Sequence, residues 1–128
     1  MRANEFVIEL DNRPGALARV CELTGQNGIN LKAITTDRVG NQTFVRVLVD
    51  KNKEMRKLLD ENDIMYAEND VIVKSVSDQP NALTKIARDL GAAGINIESI
   101  YLLSKGHQKV NLVFALDNPH KGAQILKD

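Results

Sequence analysis

The stretch Asp11 to Ile34, DNRPGALARVCELTGQNGINLKAI, returns further along the chain as Ser77 to Ile100, SDQPNALTKIARDLGAAGINIESI. Aligning Gly28 with Gly94 sets the shift at 94 − 28 = 66 residues, and the same shift superposes Pro14 on Pro80, Leu17 on Leu83, Gly25 on Gly91 and Asn30 on Asn96. A fixed internal period marks a duplicated supersecondary unit, so one long folding problem becomes two short ones. Residues 1–69 and 70–128 are the expected halves, each near the lower size limit for an independent core.

Within the first half, Phe6 to Leu10 is short and rich in strand formers, and Asp11 to Gly15 ends it with turn residues. Leu17, Val20, Cys21 and Thr24 then follow at helical spacing, with Pro14 suited to a first helical turn and Asn27-Gly28 as the stop. Ile29 to Thr36 and Phe44 to Val49 read as a hairpin around Val39 to Gln42. Asp50 and Asn52 offer cap chemistry for a second helix carrying Met55, Leu58 and Leu59, and Ile64 to Glu68 closes the half as a strand.

That order, βαββαβ, predicts an α+β fold of the ferredoxin-like kind, an antiparallel sheet with both helices on one face. The second half repeats it: Val71 to Val76, a stripe of Leu83, Ile86, Ala87 and Leu90, then Ile95 to Leu103 paired with Val110 to Leu116 around Gly106-His107. Asn118-Pro119 opens a helix as N-cap and first residue, and the second repeat lacks its last strand. The edge left there calls for cover by a partner, unless the sequence is truncated. Asn69-Asp70 reads as the whole connection between the halves. Both sides of Phe44 to Val49 and of Leu112 to Leu116 are apolar, so the sheet face away from the helices is expected to be buried too.

At 43% hydrophobic and 27% charged residues the composition is that of a folded globular protein. Seventeen basic and seventeen acidic side chains cancel, so no global field attracts nucleic acid or an anionic membrane. One cysteine forms no intrachain disulfide, and no apolar run has the length of a membrane span, which together point to a cytoplasmic protein. Cys21, on the helical stripe, reads as a small hydrophobe, and His107 and His120 as surface residues without a second metal ligand nearby. No catalytic pair, nucleophile with its base, or cofactor motif is visible.

The turn from Asp11 to Gly15 is the remaining chemical feature. The amides of Gly15, Ala16 and Leu17 are expected unpaired at a helix start, where the dipole favours an anion. Glycine would leave room for a ligand, and Asn12 offers a donor or acceptor beside it.

NRPGAL at 12–17 followed by GIN at 28–30 resembles the amino-acid-binding ACT domain, and both repeats carry the pattern. The resemblance implies a regulatory role without catalysis or cofactor, in which a small amino acid effector sits where modules pair through their second strands. It implies a homodimer or higher homo-oligomer and a regulated assembly or partner enzyme. Carried onto this sequence, the site comprises Asn12, Arg13, Pro14, Gly15, Ala16 and Leu17, with Asn30 approaching from a facing module. Asp78, Asn81 and Asn96 are the second-repeat counterparts, and Asn81 in place of glycine is expected to crowd that copy. Leu10 stands where some members place a polar contact. An RNA-binding protein shares this element order and would stack bases on Phe6 and Phe44, and a small enzyme on the same scaffold is a further reading.

Overall fold

In a computed structural model, described here for residues 1–127, the chain forms two compact units: Asn4–Asn69, and Met1–Ala3 together with the residues from Asp70 onward. The elements are β1 (Arg2–Asp11), α1 (Ala16–Gln26), β2 (Leu31–Val39), β3 (Gln42–Val49), α2 (Asn52–Glu61), β4 (Tyr66–Ser77), α3 (Ala82–Ala92), β5 (Ile97–Lys105), β6 (Lys109–Leu116) and α4 (Pro119–Ile125). Both units are antiparallel ferredoxin-like sheets with helices on one face, and among the described residues no strand follows α4.

In the first unit the strands lie in the order β2-β3-β1-β4. Period-two alternation places Phe6 and Ile8 of β1 beside Val45 and Val47 of β3 on one face, where the register pairs Phe6 with Val47 and Ile8 with Val45. Val20 from α1 and Met55, Leu58 and Leu59 from α2 close over this row. Leu17 and Leu23 complete the α1 stripe. Cys21 is exposed, contrary to its expected place on that stripe, because the buried line runs through Val20, Leu23 and Thr24, rotating Cys21 outward.

In the second unit β4, β6 and β5 lie side by side, and Ile72, Phe114 and Leu116 meet Leu90 and Leu126. Gly122 of α4 lies so close to the sheet that a side chain there would collide with Leu116 and Ile72. On the face away from the helices Val71, Val73, Val113 and Ala115 are buried, as the two-sided apolar pattern anticipates. The corresponding row of β3 is less covered: Leu48 is buried, whereas Phe44 and Arg46 are half-buried.

Asn69-Asp70 does not separate two strands. β4 passes straight through both residues, whose exposed positions let polar side chains remain solvated while the backbone stays extended. Nor does the open edge of the second unit await only an outside partner: Met1 and Val73 exchange two main-chain bonds, Val73 N–H to Met1 O at 2.7 Å and the Met1 amino group to Val73 O at 3.0 Å. Arg2 adds an ion pair to Asp70 at 3.0 Å.

The helix ends also depart from expectation in part. Asp50 does not cap α2, whose N-cap is Lys51; its carboxylate accepts the Asn30 N–H at 2.9 Å instead. Asn118 caps α4 as the sequence suggests, accepting from the Lys121 N–H at 3.1 Å with Pro119 first in the helix.

Glu68 ties β4 to α2. Arg56 donates to both its oxygens, at 2.6 and 2.7 Å, and Asn4 to one of them at 2.8 Å. The hydrogen bonds from Arg56, followed by its charge and the Asn4 amide, hold the Glu68 carboxyl below its ordinary value of 4.5, with burial opposing them. A folded-state value below the unfolded one contributes stability above about pH 4.5 that is lost as pH falls through the folded-state value. Glu68→Gln is therefore expected to lower the urea midpoint near neutrality, and the gap from the parent should shrink below pH 4. A gap of equal size at both pH values would show that the carboxylate charge is not involved.

Candidate functional site

The link between β1 and α1 is a turn with defined chemistry. Ala16 N–H reaches Arg13 O at 3.3 Å, and Gly15 takes φ 87° and ψ −10°. Proline at the second position and a left-handed residue at the third are the requirements of a type II turn. The second copy repeats it: Ala82 N–H meets Gln79 O at 3.3 Å, and Asn81 holds φ 68° and ψ 0°. Asparagine is among the few residues that enter this region readily, so the Gly15 to Asn81 difference preserves the turn.

Pro14 therefore precedes α1 instead of forming its first turn, and the Ala16 amide, expected free, is occupied. The glycine at 15 answers to backbone conformation. A β-carbon there would meet nothing within 4 Å, and Gly15 does not line the adjoining cleft.

Beside this turn the first unit holds a cleft of about 300 Å³. One wall is the start of α1, with Asn12, Arg13, Ala16 and Leu17; the other is the end of the β2–β3 hairpin, with Thr36, Asp37, Arg38 and Thr43. Ladder register explains the second wall. Leu10 pairs with Thr43, and Thr43 with Arg38, so all three share the helix-side face, while Asp37 opposite Phe44 starts from the other face. The hairpin is anchored to the turn through Asn12, whose N–H donates to Asn41 O at 3.1 Å and whose Oδ1 accepts from Thr43 Oγ1 at 3.3 Å.

Charges in the cleft are of both signs. Arg13 lies 3.9 Å from Asp11, both largely exposed, an arrangement with little energetic weight. Among the described residues neither Asp37 nor Arg38 has an ion-pair partner. Leu10, Ala16 and Leu17 add apolar surface. A second cleft, of about 330 Å³, shares Leu10, Asp11, Arg13 and Ala16 with the first and continues toward Arg19, Asp63 and Met65. The first has the better chemistry for a small polar ligand, since it contains Asn12 and the unpaired Arg38.

Four of the residues expected from sequence, Asn12, Arg13, Ala16 and Leu17, come together here; Pro14 and Gly15 shape the turn without lining the cleft. Asn30 lies at the far end of β3, where its N–H meets Asp50 Oδ1 at 2.9 Å and its carbonyl accepts from Asp50 N–H at 3.2 Å. Asn96 and Asp117 form the same pair at 3.0 and 3.1 Å. Within one unit, therefore, neither asparagine approaches its strand–helix junction. Asp78 is held by Lys105 at 3.3 Å, and Asn81 borders an open cleft along α3 with Thr84 and Arg88. Thr36, Asp37, Arg38 and Thr43 escaped the sequence reading. Their signal was tertiary, although alternation along β2 and β3 would have put Arg38 and Thr43 on the helix side.

The chain thus holds a duplicated ferredoxin-like unit with a polar cleft at the first strand–helix junction. The chain belongs to the ACT domain pair family, whose model matches residues 1–128. Among solved structures, a protein from Bacteroides thetaiotaomicron is 29% identical with a TM-score of 0.89, the match covering 99% of this chain and 88% of that one. The ligand-free regulatory subunit of aspartate kinase from Thermus thermophilus shares the fold at 16% identity and a TM-score of 0.66, over 97% of this chain and 89% of the other. Its counterpart from Thermus flavus is 18% identical with a TM-score of 0.65, over 98% and 87%. No curated protein matches the chain. Among the described residues no helix is long and apolar enough to cross a membrane, and no cluster of three or more histidine, cysteine or acidic side chains is placed to hold a metal.

Proposed function

We propose that the protein is a regulatory ligand-binding pair that takes a small amino acid at the β1–α1 junction and thereby alters its own assembly or the activity of a partner enzyme. The observation carrying this reading is the cleft between α1 and the β2–β3 hairpin, with unpaired charge of both signs and apolar walls, as a zwitterion with a small side chain requires. Only a ligand with different affinities for two states can shift an equilibrium, so binding must change a second state of assembly or of a partner. The partner state is a second copy paired along β2, the outer strand of the first unit, whose Ile34 is 42% exposed. Such pairing brings a facing Asn30 toward the ligand.

Thermal denaturation against the twenty amino acids tests this. A ligand at a hundred times its dissociation constant adds about 2.7 kcal/mol to stability. Asn12→Ala, which removes the anchor from Thr43, should reduce the shift. No shift from any amino acid would overturn the proposal. The RNA-binding reading is weakened at Phe6, which is fully buried among the helix-side residues and so presents no ring for a base.

A further inference from the structure

We infer that Arg38 is the carboxylate anchor of this cleft and that its ligand is a small aliphatic α-carboxylate. The inference rests on the ligand-binding reading and narrows it to a chemical class and a specificity residue. The basis is the cross-strand row Leu10–Thr43–Arg38, which fixes the arginine on the helix-side face opposite the first turn of α1.

Three cationic or amide groups border the cleft, and they are not equivalent. Arg13 already faces Asp11, so a ligand carboxylate must compete for it. Asn12 is oriented by Thr43: its Oδ1 accepts the threonine hydroxyl, leaving one acceptor site on that oxygen and the amide donors. Arg38 has no hydrogen-bond or ion-pair partner for its guanidinium among the described residues, so its donors are available in the fork geometry that matches a carboxylate.

The remaining walls set the size and polarity of the ligand. Leu10, Ala16 and Leu17 form the apolar side, while the ammonium group has Asn12 Oδ1 and the exposed Asp37 to meet, each shared with solvent or Thr43. The uncommitted Arg38 guanidinium and the uncommitted Asp37 carboxylate are the charged groups open to a ligand's acid and its amine. L-Valine, which carries both groups, is therefore expected to bind more tightly than isovalerate, which lacks the amine, and than L-valinamide, which lacks the carboxylate.

The test uses the full chain with these three probes, followed by thermal shift and titration calorimetry, on the parent and on Arg38→Gln. Arg38 is exposed and unpaired, so the substitution leaves the fold in place, which circular dichroism verifies. The proposal expects binding of L-valine, weaker binding of L-valinamide, and L-valine affinity reduced about tenfold or more in Arg38→Gln. L-Valinamide binding as well as L-valine, or unchanged L-valine affinity in Arg38→Gln, overturns the anchor while leaving amino-acid binding intact. If L-valine fails and another of the twenty amino acids binds, the aliphatic class is wrong and the wider reading stands. If none binds, both fall.

Discussion

Phe6→Ala is expected to cost about 4 kcal/mol, the range for emptying a fully buried aromatic site. Phe6 has no exposed surface, lies opposite Val47 across β1 and β3, and packs against Tyr66 with ring centroids 5.8 Å apart. The loss includes both the transferred ring and the cavity left among Val20, Met55 and Leu59, which two helices and a sheet prevent from collapsing freely. Phe6→Leu keeps most of the volume and should cost about 1.5 kcal/mol or less. Urea denaturation of the two variants measures the difference. Equal costs would mean that the loss arises from ring contacts with Tyr66 and not from the void.

The second large effect concerns a buried charge. Glu5 is fully buried, and Arg46 Nη1 donates to its Oε2 at 2.9 Å while the Asn69 side-chain amide donates to the same oxygen at 3.3 Å. Removing one partner of a buried ion pair costs far more than replacing the pair, since the other charge has already left water. Arg46→Met is expected to lower stability by about 3 kcal/mol, the lower part of the usual range because the Arg46 side chain is 25% exposed. Adding Glu5→Gln to Arg46→Met should restore part of that loss, because an amide is cheaper to bury than a carboxylate. A double variant less stable than Arg46→Met alone would show that Glu5 is held mainly by its other contacts. Denaturant titration of the two single variants and the double variant gives the coupling directly.

The duplicated fold was legible because local signals agreed: period-two apolar runs, helical stripes, and Gly28 and Gly94 at left-handed positions after the helices. The break expected at Asn69-Asp70 is absent because polar residues also occupy exposed strand positions, and only the pairing of neighbouring strands shows that the strand continues. Cys21 misled because two adjacent helical faces match an apolar spacing until the sheet selects one. At the candidate site, the turn wall followed from NRPGAL, since Pro14, Gly15 and Asn12 act on residues next to them. Arg38 and Thr43 belong to the cleft through ladder register, which joins residues far apart in the chain and leaves no local motif.

The two bonds between Met1 and Val73 give the duplication an unusual anatomy. The repeat boundary in the sequence and the boundary of the compact unit do not coincide: a cut after Asn69 would separate the second unit from the residues that cap its strand edge. A fragment beginning at Asp70 would present Val73 with an unanswered donor and acceptor, a template for another chain. Met1 to Ala3 thus guard this edge of the second unit against edge-to-edge association, and dissecting the pair into single repeats would add an adhesive edge.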